Sequence, residues 1–513
     1  MNITNMKYKS KIVLGLILLI GLASCSDFLD ESDPSNLTPD SFYTTEKHAE
    51  SAIAAVYADA RFIGDGAGIF SSNWQLLMAP TGVTTTQTAQ NSDLNNLYSL
   101  SYDENTGHVK NWWRGIYKVI GNANLVLENV PGIEMDEAKK NKVLGEARFL
   151  RAWAYFMAVR LWGDIPLITS PQSADSEDFF PVRSPQSEVY SLIVSDLQTA
   201  ENAGLPWTDE TGRVSQAAVK TLLSKVYLTM AGFPLNETGR YADAAAKAKE
   251  VIDNAGPLGL FDTYAEVHDE ALNNQTEHIF SLQYNDLVAS NPMGNMRPNF
   301  QPVTYRGPDG TGSTVPTQEF YQSYEDGDLR AVDREGWFYT SYYTNGSGDL
   351  FDLGAPFIFK HFNVTANGTQ GVPGTAKDNL NVPIFKYSEV LLIYAEAQNE
   401  ADSGPNQDAL DALTSIRNRA QLITPGLAMY NQDSFREDVW RERWHELAFE
   451  MKTWFDMVRL RKVYNDETNN FDNFVGHVNL SSDQALQEKH LLFPIPGPEL
   501  INNPNLTPQN PGY

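Results

Sequence analysis

The one cysteine among 513 residues, Cys25, follows Leu22-Ala23-Ser24. That tetrad is the pattern in which a thiol becomes thioether-linked to lipid and its freed amine is acylated. Ahead of it, Lys7, Lys9 and Lys11 precede an apolar run from Ile12 to Ile20. The run falls short of the roughly 20 residues that cross a bilayer, and small residues close it, so residues 1–24 read as an export signal cleaved before Cys25. Cys25 is expected to be the anchor, because several acyl chains together give stable membrane attachment. A lone cysteine also leaves no intramolecular disulfide, and the exported chain must be held by its core.

Other spacings that suggest chemistry do not complete their sites. His445-Glu446 opens like a zinc-protease motif, but Phe449 stands where the second histidine belongs, so the metal site cannot close. Gly307, Gly310 and Gly312 lack dinucleotide-binding spacing and lie in a Pro-rich loop with no strand-to-helix turn. Neither a Walker A sequence nor a G-x-S-x-G elbow is present. Asp326-Gly327-Asp328 lacks the graded ligands and terminal glutamate of a calcium loop and reads as a solvated acidic turn. With 65 Asp and Glu, the paired carboxylates of a glycosidase can be drawn almost anywhere and carry little weight. No catalytic residue, metal or cofactor is expected. The formal net charge of −27, made more negative by loss of the leader lysines, repels phosphate backbones and excludes nucleic acid as a natural partner.

What remains is to find the elements that would hold a binding surface. Residues 26–43 are acidic and rich in Pro and Ser, as a tether between lipid and folded body should be. Beyond them apolar residues recur at helical spacing over 46–62, 108–130 and 136–162, the last with Val143, Ala147, Leu150, Ala154, Met157 and Leu161 on one face. Ser184 is placed to cap a helix opening at Pro185, and further helices are predicted over 214–230 and 241–254. Residues 387–402 break at Ser403-Gly404-Pro405 and resume with Ala409, Leu413, Ile416 and Ala420 on one face, an αα-hairpin pattern. Repeated pairs of this length suggest tetratricopeptide-like stacking, although that repeat's consensus is not matched strictly. Ser434 to Glu437 fits a capping box, opening a helix striped by Trp440, Trp444, Leu447, Met451, Trp454 and Val458; a stripe this apolar reads as packed core, not as sugar platforms. Between about residues 283 and 385 the period fails, and long loops with short strands such as Trp337 to Tyr339 and Phe357 to Phe359 are expected. Irregular segments on a rigid scaffold are where binding residues usually sit.

Several segments carry a resemblance in order along the chain: Cys25 to Asp30 with Pro34, Thr38 and Phe42-Tyr43; Asn111 to Tyr117 with Asn122 to Asn124; Glu146 to Ala152 and Trp162 to Leu167; Tyr394 to Ala397; Arg441 to Arg461; Leu492 to Pro496; and Asn503 to Tyr513. Together they resemble the SusD/RagB family of nutrient-binding outer-membrane lipoproteins nearly end to end, with Met451 standing where glycine is commoner. The resemblance implies a mainly α fold: one tetratricopeptide-like domain over 44–513, an irregular ligand-binding insert at about 283–385, and no catalysis. It also implies an outer-membrane, lipid-anchored location facing the cell exterior and a SusC-like TonB-dependent transporter as partner. The ligand class it implies is an oligosaccharide or polysaccharide, with peptide or another nutrient as the alternative. A secreted glycoside hydrolase and a pure protein-binding scaffold are the rival readings.

A sugar presents an apolar face of C–H bonds and a rim of hydroxyls, so its site needs aromatic platforms beside polar side chains. By similarity the face is built from residues 84–98 and 284–345. Tyr98, Tyr305, Trp337, Tyr339 and Tyr342 are the aromatic candidates; Gln87, Asn91, Asp93, Asn299 and Arg306 are the polar ones. Trp337 leads, because it follows Asp328-Leu329-Arg330, which resembles a family landmark before a loop that contributes an aromatic to ligand. Its replacement by alanine is expected to weaken binding at nearly unchanged stability.

Overall fold

Apolar residues three and four apart build the helices of the computed structural model, which describes residues 39–65, 72–87, 90–173, 175–176, 179–293, 312–343, 350–367 and 379–513. The principal helices are α1 (Glu46–Ala60), α2 (Ser92–Tyr98), α3 (Gly107–Asn129), α4 (Glu137–Trp162), α5 (Gln186–Glu201), α6 (Gln216–Ala231), α7 (Arg240–Asp253), α8 (Tyr387–Ala401), α9 (Gln407–Arg419), α10 (Gln432–Glu446) and α11 (Thr453–Leu460). Side chains of Thr45, Asp136, Ser215 and Asn406 accept the N–H three residues on and so stop the helix starts from fraying. Successive helices are neighbours in space: α3 packs on α4, α4 on α5, α5 on α6, α6 on α7, α7 on α8, and α8 on α9 and α10. This is the helix-pair array expected from the periodicity. Its middle member α4 is buried well beyond the expected stripe, with Phe149, Trp153 and Phe156 covered on its other faces. The described residues begin with the helical turn Pro39–Phe42, inside the stretch read as tether, and Phe42 and Tyr43 lean on the core. Among the described residues no helix is long and apolar enough to cross a membrane.

Local signals mislead at three places. Ser184 sits in the short pairing of Ile165–Pro166 with Arg183–Ser184 and caps nothing; the Gln186 N–H is taken by the Asp164 carboxylate at 3.0 Å. Helix α10 starts earlier than Ser434, with Asn431 as N-cap and Ser434 answering it as the third helical residue. The helix expected to carry one stripe from Trp440 to Val458 also stops at Glu446, and Phe449 (φ 64°) and Met451 (φ 59°) turn the chain through the left-handed region before α11. Met451 therefore lies in a turn, not on a helix, which explains why glycine suits the position: it has no Cβ to clash there. The tryptophan stripe is nonetheless interior, with Trp444 and Trp454 buried and Trp440 half-buried.

The insert contributes paired ribbons. Strand β1 (Thr84–Thr85) is followed by β2 (His278–Leu282), β3 (Val315–Pro316), β4 (Phe338–Tyr343), β5 (Leu350–Ile358) and β6 (Val382–Lys386). β2 pairs antiparallel with β6, and β4 with β5 in a register that sets Phe338 opposite Ile358 and Tyr339 opposite Phe357.

Where insert and helices meet, charges are buried in pairs. Arg330 reaches Asp328 at 2.8 Å, Glu442 at 2.5 Å and Glu446 at 3.3 Å; Arg419 bonds Glu277 and Glu446; Glu450 pairs with Lys360 at 2.6 Å and Lys386 at 2.7 Å; Glu389 pairs with Lys225 at 2.6 Å and Lys452 at 2.9 Å. Burial acts to raise Glu277 and Glu389, but the cations outweigh it there: Arg419 and Lys386 draw Glu277 down to about 2, and Lys225 and Lys452 draw Glu389 down to about 2, whereas burial wins at Glu442 and holds it above the ordinary value. A carboxyl held below its unfolded value of about 4.3 contributes stability that is complete above that pH and disappears as pH falls through the folded value. The melting temperature should therefore drop steeply between about pH 4 and pH 2, scanned by circular dichroism. A flat profile over that interval would show that the network adds nothing to folding.

Candidate ligand-binding face

Two segments far apart in sequence are joined by the pairing of β1 with β3, which puts Thr84 opposite Pro316 and Thr85 opposite Val315. The contact continues through side chains. The Gln87 N–H donates to the Gly312 carbonyl at 2.9 Å, the Thr86 hydroxyl donates to the same carbonyl at 3.1 Å, and the Tyr98 hydroxyl donates to the Ser313 carbonyl at 2.9 Å. Burial pushes the Tyr98 hydroxyl up to about 12, so it remains a neutral donor. Below them a buried relay runs from His108 to Gln75 at 3.3 Å and from Gln75 to Thr314 at 3.3 Å, tying α3 to the strand. His108 is pushed down to about 4 by burial and is neutral at physiological pH.

The loop between β1 and α2 closes on itself. Asn95 donates to the Gln90 carbonyl at 2.8 Å and accepts the Gln90 N–H at 3.1 Å, while Asn91 caps α2 by accepting the Leu94 N–H at 3.0 Å. Asp93 lies against Gly107, the first residue of α3, where a carboxylate is favoured by the helix dipole. Gly312 has φ 57°, and a Cβ there would stand 2.2 Å from the Gln87 side-chain oxygen; glycine is what lets Gln87 lie across this strand.

Of the candidates in this segment, Gln87 and Asn91 are exposed, Asp93 is half-buried and Tyr98 shows only an edge. The other aromatics that can be placed are not exposed. Trp337 is fully buried: its indole N–H donates to the His445 carbonyl at 3.1 Å, Lys360 sits 3.8 Å above the ring, and Tyr264 meets it edge-on at 4.8 Å. A platform must offer a ring face to ligand, and both faces of Trp337 are occupied by protein, which corrects the expectation that it leads the site. Tyr339 is also buried, in a small cluster with Val315, Phe357, Phe359 and Phe362, so it backs β3 from beneath instead of touching ligand. Asn299, Tyr305 and Arg306 lie outside the described residues, as does the Tyr342 side chain. Sequence reasoning missed Gln90, Asn95, Ser313 and Thr314, the residues that hold the face together; the run of amides and hydroxyls over 84–101 was the available signal. Among the described residues no group of three His, Cys, Asp or Glu is placed to hold a metal ion. What the face offers is hydrogen-bonding amides and a carboxylate on a braced backbone.

Comparisons with known proteins cover this whole architecture. A family model described as the SusD family matches residues 335–513, and one described as starch-binding associating with outer membrane matches residues 27–228. SusD-like protein P2 of Formosa agariphila is 31% identical across 99% of this chain and 100% of its own length. A SusD superfamily protein of Parabacteroides distasonis superposes with a TM-score of 0.85 at 33% identity, covering 93% of this chain and 100% of that one. Surface glycan-binding protein A from Bacteroides thetaiotaomicron shares the fold at a TM-score of 0.73 and 19% identity, covering 92% and 100% of the two chains.

Proposed function

This chain belongs to the SusD family, whose members are non-catalytic binding proteins, and on that premise we propose that it binds glycan at the cell surface and passes it unaltered to a SusC-like TonB-dependent transporter. In this reading Cys25 carries the lipid anchor, residues 25–43 are the tether, and 44–513 form one domain. The observation that carries the proposal is the braced polar face of Gln87, Asn91, Asp93 and Tyr98: exposed amides and a carboxylate, fixed by backbone pairing between remote segments, suit the hydroxyl rim of a sugar. Support for glycan over peptide comes from the starch-binding description of the family model over residues 27–228, the stretch that holds Gln87, and from the surface glycan-binding neighbour of the same fold.

Affinity electrophoresis against a panel of starch, laminarin, xylan and pectin tests it. At least one polysaccharide should retard the protein without release of reducing ends, and Gln87→Ala should weaken that retention about tenfold, the worth of one well-placed hydrogen bond to ligand. Release of product would make the chain a glycosidase. Retention that ignores Gln87→Ala would move the site off this face, and capture of peptides with no retention in any gel would replace the ligand class.

A further inference from the structure

On a different part of the molecule, a cavity of about 200 Å³ opens between the end of α4, the start of α5, the end of α6, α11 and the chain around 488–492. Its walls are mostly apolar, with Phe233, Phe455, Val458 and Leu492 among them, and Phe233 stands 44% exposed at its mouth. Four cations line it and one carboxylate, Glu488.

The cations are not equivalent. Arg459 is neutralised by Glu396 at 2.5 Å and Asp456 at 2.7 Å. Arg160 has no such partner among the described residues: its guanidinium carbon lies 3.7 Å from the Phe156 ring centroid and 3.6 Å from that of Phe455. Its Nε donates to the Phe156 carbonyl at 2.8 Å and one terminal nitrogen meets the Met157 sulfur at 3.0 Å, leaving the other terminal nitrogen without a partner among the described residues. The acids that act on it are committed elsewhere, Glu389 to Lys225 and Lys452, Asp456 to Arg443 and Arg459. Arg461 is the second case. One terminal nitrogen is sealed from solvent with no hydrogen-bond partner among the described residues, the guanidinium faces the Phe233 ring at 5.4 Å, and Glu488 does not close to ion-pair distance. Burial pulls both guanidinium groups below the ordinary arginine value, against the weaker pull of the acids around them. Lys489 also lines the cavity, its ammonium 5.2 Å from the Tyr513 ring.

A chain with 65 acidic and 38 basic residues has carboxylates to spare, and buried charge is normally paired. Two arginines left unpaired against aromatic walls form a receptor awaiting its anion: the planar fork receives a carboxylate, and the rings receive an apolar body. We propose that this cavity is a second binding site, for a small organic carboxylate with an aromatic or apolar body, which Arg160 and Arg461 hold by its charge. The proposal stands independently of the glycan-binding face.

Isothermal titration of the whole mature protein with sodium benzoate, and with benzyl alcohol as its neutral counterpart, tests the assignment. Benzoate should bind saturably at one site per chain, benzyl alcohol about tenfold more weakly or less, and Arg461→Gln should weaken benzoate by about tenfold, as loss of a charge-assisted hydrogen bond does. Gln87→Ala should leave benzoate binding unchanged. Glu488→Gln, at an exposed position, should tighten benzoate severalfold by removing the only opposing charge on the lining, a gain that misfolding cannot mimic. No saturable benzoate binding, equal affinity for benzyl alcohol, full benzoate affinity in a folded Arg461→Gln protein, or no tightening in Glu488→Gln would each overturn it.

Discussion

Trp337→Ala should destabilise the protein by about 3–5 kcal/mol, the cost of emptying a site that a buried indole fills. The loss has identifiable parts. The His445 carbonyl loses one of its two donors and keeps the Tyr324 hydroxyl at 3.0 Å, the Lys360 ammonium loses the ring it lies on at 3.8 Å, and the edge of Tyr264 faces a void. Neighbours cannot easily collapse into the space, because Trp337 is fixed at both ends of its own backbone: its N–H donates to the Arg330 carbonyl at 2.7 Å and its carbonyl accepts from Phe359 at 2.7 Å. Urea denaturation would read the change, and polysaccharide affinity measured on the folded fraction should stay within about twofold, since no ligand contact is lost. The opposite pattern, an unchanged denaturation midpoint with affinity lost, would return Trp337 to the binding surface and discard the burial argument.

Arg419→Met should cost about 3–5 kcal/mol, because it strands two carboxylates in the interior. Arg419 is 4% exposed at its side chain and bonds Glu277 and Glu446, which are fully buried. Without it Glu277 retains one cation among the described residues, Lys386 at 3.7 Å, beside the Phe261 N–H at 3.2 Å, and Glu446 retains Arg330 at 3.3 Å and Lys386 at 3.7 Å. The pair as a whole contributes far less than the penalty of breaking it, since desolvation offsets most of the attraction. Arg419→Met combined with Glu277→Gln should therefore recover a large part of the loss, a coupling that a double-mutant cycle in urea measures directly. Additive losses from the two substitutions would mean that Arg419 acts through packing on Tyr264, which it approaches to 4.7 Å, and not through charge.

The same network accounts for the most specific stretch of the sequence. Arg441 to Arg461 carried much of the family resemblance, and the structure explains its charges as interior fastenings: Glu442 and Glu446 receive Arg330, Glu450 receives Lys360 and Lys386, and Asp456 and Arg459 pair with each other. These paired residues lock the insert onto the helices. The break at 447–452 was illegible because Trp444, Leu447, Met451 and Trp454 keep helical spacing across it; a preference for glycine at 451 was the one hint that the backbone there is left-handed.

The candidate face divides in the same way. Residues 84–98 were readable as a polar segment, and Gln87 and Asn91 in it are exposed and Asp93 half-buried. Trp337 and Tyr339 were not distinguishable from platforms, since a loop that buries an aromatic and a loop that presents one have the same composition.

By itself the sequence determined the helices, their order and the family, because helical periodicity is written in residues three and four apart and needs no distant partner. The tertiary structure alone decided which aromatics face inward and which charges meet. Arg330 finds Glu442 across 112 residues, Arg419 finds Glu277 across 142, and Tyr98 finds Ser313 across 215. Such contacts depend on how separate elements pack, and no local pattern encodes them.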